Sequence, residues 1–269
     1  MTESVTTRYA GTRMPRVEDT RLLTGHGTYV DDIIRPGMLH ACFVRSQYAR
    51  ARIAGIDTSA ALAMPGVHAV FTAADLNPDV KEAWHAVAGK DVPDTPRPPL
   101  AEGEVKFVGD PVALVIAESR YLAEDAVDAV DVQYEPLPVL ADFTKAGAAA
   151  QDGVVVHEAY PDNVAGGMGG APPDEETFAG AAHVAKAHVY QQMYVPVPME
   201  TRGMVVEWEP ASAELTMWAS TQTPHELRAF CARLLGLPAQ KVRVITRDTG
   251  GGFGQKVVPM REDMCIMLA

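Results

Sequence analysis

Cysteine is scarce in this 269-residue chain, and its placement removes several kinds of chemistry at once. Cys42, Cys231 and Cys265 stand far apart with no C-x-x-C pair, which excludes a disulfide framework, a zinc ribbon or a four-cysteine iron–sulfur cluster held by this sequence alone. Basic charge is also short: 23 Lys and Arg face 35 Asp and Glu, for a formal charge of −12. Nucleic acid is thereby disfavoured as the main partner, because neutralising phosphates needs a basic face. The longest apolar run, Pro111 to Ala117, is far too short to span a bilayer, and the N-terminus has no apolar h-region. The expected location is therefore cytoplasmic. The eight histidines include no H-E-x-x-H, and His183 and His188, five apart, would face opposite sides of a strand, so no zinc site is expected.

Glycine (22) and proline (20) are instead plentiful, which predicts many turns. Two strand–helix–strand units are legible before residue 150. In the first, Met38–Arg45 reads as a strand, Ser59 caps a short helix through Met64 with Gly66 as its stop, and Val67–Thr72 reads as a second strand. In the second, Val112–Ala117 suits a strand buried on both faces. A helix with Leu122, Ala126, Ala129 and Val130 on one face follows, and then alternation through Val130, Val132 and Tyr134 up to Pro136. The proline-rich stretch Asp91–Leu100 reads as an extended surface connection. Ala146–Glu176, through Gly166-Gly167-Met168-Gly169-Gly170-Ala171-Pro172-Pro173, reads as a boundary, which divides the chain into domains 1–150 and 151–269.

Strands are expected at His183–Gln191, Met204–Glu209 and Glu214–Ser220, the last two joined by a turn at Pro210–Ala213. Thr223-Pro224-His225-Glu226 has the pattern of a capping box with proline at N1. Leu227, Phe230, Cys231 and Leu234 form the helix's apolar stripe, and Gly236 and Pro238 end it. Lys241–Arg247 then reads as a strand running into Gly250-Gly251-Gly252-Phe253-Gly254.

That glycine loop is the strongest local signal. Its glycines permit positive φ and let backbone N–H groups approach a ligand oxygen, so it reads either as an oxyanion or phosphate cradle with a packing phenylalanine, or as a tight strand-to-helix turn. It is not a Walker A loop, because Gln255 separates Gly254 from Lys256, and G-x-G-x-x-G fails at Gln255. Gln222 ends a strand directly before the capped helix, but most such glutamines are surface residues. Glu200 and Arg202 sit two apart and suggest a structural ion pair or turn, with a role beside the site as second reading. His225 reads as a solvated helix terminus before an anion contact, Cys231 as core, and Cys265 carries no readable role.

These residues together resemble the molybdenum hydroxylase family, the molybdopterin-binding large subunits related to xanthine dehydrogenase, aldehyde oxidase and aerobic carbon monoxide dehydrogenase. Arg16-Val17-Glu18-Asp19 through Gly25, Tyr29-Val30-Asp31-Asp32 and Pro65-Gly66-Val67 resemble the opening of the family's hammerhead domain. Val108–Ala113, Ala123–Ala126 and Tyr134–Pro138 resemble its close. Pro198–Gly203, Ser220-Thr221-Gln222, Leu235–Pro238 and Gly250–Lys256 resemble the first part of the molybdenum-binding region. The implied fold class is α+β, an α/β hammerhead domain followed by an incomplete molybdenum-cofactor-binding domain. Within the family, the carbon monoxide dehydrogenase-like subunits resemble the chain most.

The resemblance implies that Gln222 hydrogen-bonds an oxygen ligand of molybdenum and that the backbone of Gly251, Gly252, Phe253 and Gly254 approaches the cofactor, with no direct metal ligand from the chain. It implies a molybdopterin cofactor in its cytosine dinucleotide form, and hydroxylation of a small substrate with water as oxygen source. Electrons would leave through [2Fe-2S] centres on a small subunit and FAD on a medium subunit. Val257 stands where xanthine-type enzymes carry a substrate-binding glutamate, which weakens a purine reading. Family subunits continue well past the position matching Ala269, and the catalytic glutamate lies in that continuation. The expected chain is thus the N-terminal portion of such a subunit, with no catalytic residue of its own and inactive alone. The alternatives are a scaffold form that docks on partner subunits without catalysis, and a non-enzymatic domain that binds an anion at the glycine loop.

Overall fold

The computed structural model describes residues 9, 11–85, 95–165 and 175–269. The strands in chain order are β1 (His40–Arg45), β2 (Ala51–Asp57), β3 (Val67–Thr72), β4 (Trp84–His85), β5 (Pro96–Arg97), β6 (Glu104–Val105), β7 (Pro111–Ala117), β8 (Asp131–Pro136), β9 (Met204–Glu209), β10 (Glu214–Ala219) and β11 (Val242–Ile245). The helices are α1 (Asp19–Leu23), α2 (Ser59–Leu62), α3 (Ala73–Leu76), α4 (Arg120–Asp128), α5 (Ala146–Gln151), α6 (Pro224–Leu235) and α7 (Arg261–Leu268).

The apolar run in β7 makes it the central strand of a sheet ordered β1-β7-β3, antiparallel on both sides. Alternation along β7 feeds two cores. Ala113 and Val115 pack with Val44, Val70, Ala61 and Ala126 under α2 and α4, while Leu114 packs on the opposite face with Leu76, Leu100 and Cys265. Ser119 starts α4 by accepting from the Leu122 N–H at 3.2 Å, leaving Ala123 and Ala126 buried beneath it. The apolar pattern through Ala129 and Val130 outruns this helix, which stops at Asp128 so that the chain can enter β8.

The first unit is less simple than its pattern. β2 lies between β1 and α2 and joins a separate sheet, β6-β2-β8, so the chain changes sheets twice before β3. In the short helix Thr58 rather than Ser59 holds the N-cap position, with no side-chain cap bond, and the helix ends at Leu62. Of the proline-rich stretch, 91–94 lie outside the described residues; Pro96–Arg97 pair with Trp84–His85, and Pro99 and Leu100 are buried, so its far end is core rather than surface. The glycine run 166–173 lies outside the described residues, and Ala146–Gln151 within the expected boundary forms α5.

In the second half, β9 and β10 form an antiparallel hairpin around Ala213 at φ +51°, and β11 joins β10 in parallel after the α6 crossover. Leu215, Met217 and Ala219 point from β10 into a core with Leu227, Phe230, Cys231 and Leu234 of α6. Gly236 at φ +67° ends α6. His183–Gln191 forms no strand: its residues are exposed and make no ladder, because alternation alone gives none without a neighbouring strand to pair with. The capping box does not form either. Thr223 makes no side-chain cap bond; its hydroxyl is turned towards the Val257 carbonyl, to which it donates at 2.5 Å.

α7 belongs to both halves. Met264 and Met267 enter the β10/α6 core, while Cys265 enters the core on the Leu114 face of β7. At its N-terminal end Arg261 pairs with the buried Asp110 and donates to the Pro98 carbonyl at 2.7 Å, and Arg45 pairs with Glu262 at 2.6 Å.

Candidate functional site

The parallel strand β11 delivers the chain to the glycine loop beside the C-terminal end of β10, where Gln222 precedes α6. Gly251 (φ +97°), Phe253 (φ +49°) and Gly254 (φ +89°) bend the loop back on itself. The turn closes with Gln255 N–H donating to the Gly252 carbonyl at 2.9 Å.

Gln222 is built into this turn. Its Oε1 accepts from the backbone N–H of Gly254 at 3.0 Å and of Lys256 at 3.3 Å, and its own N–H donates to the Lys256 carbonyl at 3.0 Å. The side-chain amide is therefore oriented by its oxygen. Nε2, a neutral donor, has no acceptor among the described residues, and the residue is exposed. Gly252 is required here for a steric reason: the Cβ of an alanine would fall 2.5 Å from Gln222 Cδ and 2.7 Å from Cγ. Phe253 is 71% exposed at the tip of the turn, and the one place its ring fills is the space over Gly251, where a Cβ would meet it at 2.9 Å, so it packs within the loop rather than into a core.

Below the exposed tip lies a charged cluster that the sequence did not announce. Lys256 is 1% exposed, and its Nζ donates to Ser220 Oγ at 2.6 Å, to the Glu200 carbonyl at 2.8 Å and to Glu200 Oε2 at 3.2 Å. Glu200 also accepts from Ser220 Oγ (2.6 Å), Gly250 N–H (2.7 Å) and Val30 N–H (3.2 Å). Burial opposes ionisation of Glu200, but the Ser220 hydroxyl, the Gly250 and Val30 amides and the Lys256 ammonium together hold its carboxyl below the usual glutamate range. The expected Glu200–Arg202 pair is absent. Arg202 instead pairs with Asp263 at 2.6 Å and donates to the carbonyls of Gln255 and Val258, tying the end of the loop to α7. Asp248, just before the loop, takes a two-toothed grip from Arg21 and the Thr28 N–H at 2.7 Å, and its carboxyl is lowered to about 2 by those bonds, Arg21 first. The only sequence signal for the cluster was a lysine one residue beyond the glycine run and a serine two positions before Gln222.

The other candidates separate. His225 is exposed at the start of α6 and Val257 is 41% exposed. Cys231 and Cys265 are buried, their thiols pushed up to about 12 by burial. Among the described residues no group of His, Cys, Asp or Glu could hold a metal ion. Among the described residues a cleft of about 2170 Å³ runs between the sheets of the first half and β9; it meets the loop at Gly250 and the cluster at Glu200, and Gln222 and residues 251–254 do not line it. The exposed turn itself fits an oxygen-rich group that brings its own metal ligands. It offers a fixed neutral donor beside Gly254, whose missing side chain leaves open space, and it adds neither charge nor a competing ligand.

Two family models match the chain: the aldehyde oxidase and xanthine dehydrogenase a/b hammerhead domain over residues 24–138, and the molybdopterin cofactor-binding domain over residues 156–269. Nicotine 6-hydroxylase large subunit of Paenarthrobacter nicotinovorans is 44% identical over 268 residues, covering 98% of this chain and 32% of that protein. Carbon monoxide dehydrogenase large chain of Afipia carboxidovorans is 40% identical, covering 96% of this chain and 33% of that one. The crystal structure of quinoline 2-oxidoreductase from Pseudomonas putida 86 superposes with a TM-score of 0.83 at 36% identity, over 95% of this chain and 32% of that chain. The chain thus spans about a third of the length of the curated relatives it matches. Hammerhead fold, cofactor-domain match and relatives agree along nearly all of the sequence: the chain belongs to the molybdenum hydroxylase large-subunit family.

Proposed function

We infer that this chain forms one wall of the molybdopterin site of a cytoplasmic molybdenum hydroxylase that oxidises a small substrate with water as oxygen source. The observation that carries the reading is the Gln222 amide, anchored to the glycine loop through its oxygen, with its NH2 group making no bond among the described residues. When bound, molybdopterin supplies the redox centre for the hydroxylation. Gln222 Nε2 would donate to an oxygen of that group, which would lie along the backbone of Gly251, Gly252, Phe253 and Gly254. Because Gln222 is neutral, it orients without exchanging a proton. The exposed Phe253 ring covers the group and excludes water from one side.

The catalytic base and the substrate-selecting side chains come from the remainder of a full-length large subunit. The cofactor is the cytosine dinucleotide form, with FAD on a medium subunit and [2Fe-2S] centres on a small subunit. Identity to the nicotine enzyme, 44% against 40% for the carbon monoxide enzyme, puts N-heteroaromatic compounds first among substrates to try. The test is purification of the chain with its neighbours, molybdenum and pterin analysis, and turnover in ¹⁸O-water with nicotine, quinoline, an aldehyde, xanthine and carbon monoxide. Molybdenum near one per complex and ¹⁸O in the product are expected. A turning-over complex without molybdenum would overturn the reading. A molybdenum-loaded complex whose Gln222→Ala variant matches wild type would remove Gln222 from it.

A further inference from the structure

Both ends of the glycine loop are fastened to one ion pair, between a buried lysine and a partly buried glutamate. Glu200 holds the Gly250 N–H at the entrance, and Lys256, at the exit, places its Nζ on Glu200 and Ser220. The backbone of the same lysine carries Gln222: its N–H donates to Gln222 Oε1, and its carbonyl accepts from the Gln222 N–H and from Thr221 Oγ1 at 3.1 Å. Glu200 further reaches the Val30 N–H, so the hammerhead end of the chain is fastened to the same point. An ion pair of this kind adds little net stability over apolar side chains of equal volume, and a single buried lysine is costly without its partners. What the pair supplies is a fixed position, with Ser220 as the hydroxyl bridge that satisfies both charges.

We propose that Lys256, held by Glu200 and Ser220, is a positioning residue that sets the direction of the Gln222 amide and the curvature of the 250–254 loop. The inference rests on the cofactor role proposed for Gln222. Rotating or releasing the lysine stem moves the Lys256 N–H and carbonyl together, and Gln222, bonded to both, moves with them. Ser220 therefore influences the exposed donor although it faces away from the loop tip.

The test uses Ser220→Ala, Ser220→Thr and Lys256→Met, with Gln222→Ala as control, in the 269-residue chain and in the purified complex. In the chain alone, hydrogen exchange across residues 250–257 is expected to quicken at least tenfold in Ser220→Ala and Lys256→Met, and to return towards wild type in Ser220→Thr, which keeps the hydroxyl. In the complex, Ser220→Ala is expected to retain molybdenum within twofold, shift the molybdenum paramagnetic resonance signal and lower kcat about tenfold at unchanged KM. Ser220→Ala folds even where Lys256→Met does not, since only one hydroxyl is lost. If Gln222→Ala shifts the signal while Ser220→Ala leaves both the signal and the exchange at wild type, the positioning role is overturned and the cofactor reading stands. If Gln222→Ala itself leaves the signal unchanged, the cofactor role of Gln222 falls and this inference with it.

Discussion

Gly252→Ala offers the sharpest physical test of the site, because the geometry states what the new methyl group must displace. All three heavy atoms nearest to an alanine Cβ belong to Gln222, and the Cδ and Cγ distances of 2.5 and 2.7 Å lie well inside van der Waals contact. Gly252 does not need positive φ, so the penalty is steric rather than conformational. The Gln222 side chain must swing away, releasing the Gly254 and Lys256 N–H groups. Two hydrogen bonds at about 1 kcal/mol each give a loss of about 2 kcal/mol, which for a chain of this size lowers Tm by roughly 4–8 °C. Gln222→Ala loses the same two bonds and should cost about the same. In the double variant the clashing atoms are already gone, so adding Gly252→Ala to Gln222→Ala should cost less than about 0.5 kcal/mol, a coupling of about 2 kcal/mol. Urea denaturation of the four proteins measures this directly. Equal cost of Gly252→Ala in both backgrounds would refute the claim that the glycine is there to admit the glutamine.

Three further outcomes follow from the geometry. Asp248 is held at about 2, below its unfolded value, so its grip on Arg21 and Thr28 stabilises the fold above about pH 4 and is lost as pH falls towards 2. The Tm gap between wild type and Asp248→Asn should be full at pH 6, narrow steadily below about pH 4 and close only below about pH 2; a gap constant with pH would count against the tether. Removing Arg261 leaves the buried Asp110 without its cation, and Arg261→Ala should destabilise by about 3 kcal/mol in chemical denaturation. Iodoacetamide followed by peptide mass analysis should label the half-buried Cys42 first. Cys231 and Cys265, with thiols near 12 and no exposure, should react only under denaturing conditions, and early labelling of Cys265 would mean that α7 is not docked.

Where a residue's surroundings are local, the sequence was a good guide. The run Val112–Ala117, the alternation of Leu215, Met217 and Ala219, and the stripe Leu227–Leu234 all report burial that the neighbouring residues already determine. The glycine loop was legible for the same reason, since positive φ leaves a compositional mark. Long-range choices left no such mark. Thr223 has every local reason to cap α6, yet its hydroxyl is turned towards the Val257 carbonyl, 34 positions away. Glu200 and Arg202 look like partners, but each finds a better one in another element, Lys256 and Asp263 respectively. The buried lysine was invisible because nothing in a lone Lys announces that an acid 56 positions earlier will follow it into the core. Gln222 gained meaning from family resemblance first, and its oxygen-anchored geometry supplies a physical reason for that meaning.

The double allegiance of α7 has a consequence for biosynthesis. The Leu114 face of the hammerhead sheet is complete in sequence by Ala117, yet one of its core plugs, Cys265, is translated about 150 residues later. During synthesis that apolar face, with Phe43, Phe71 and Ile116 at its edges, stays open to other chains and to chaperones until Arg261–Leu268 arrives. The same helix then closes the β10/α6 core through Met264 and Met267. Assembly of the glycine loop against Glu200 and the docking of its neighbouring helix are in this way late events, so the cofactor wall takes shape only after both halves have been made.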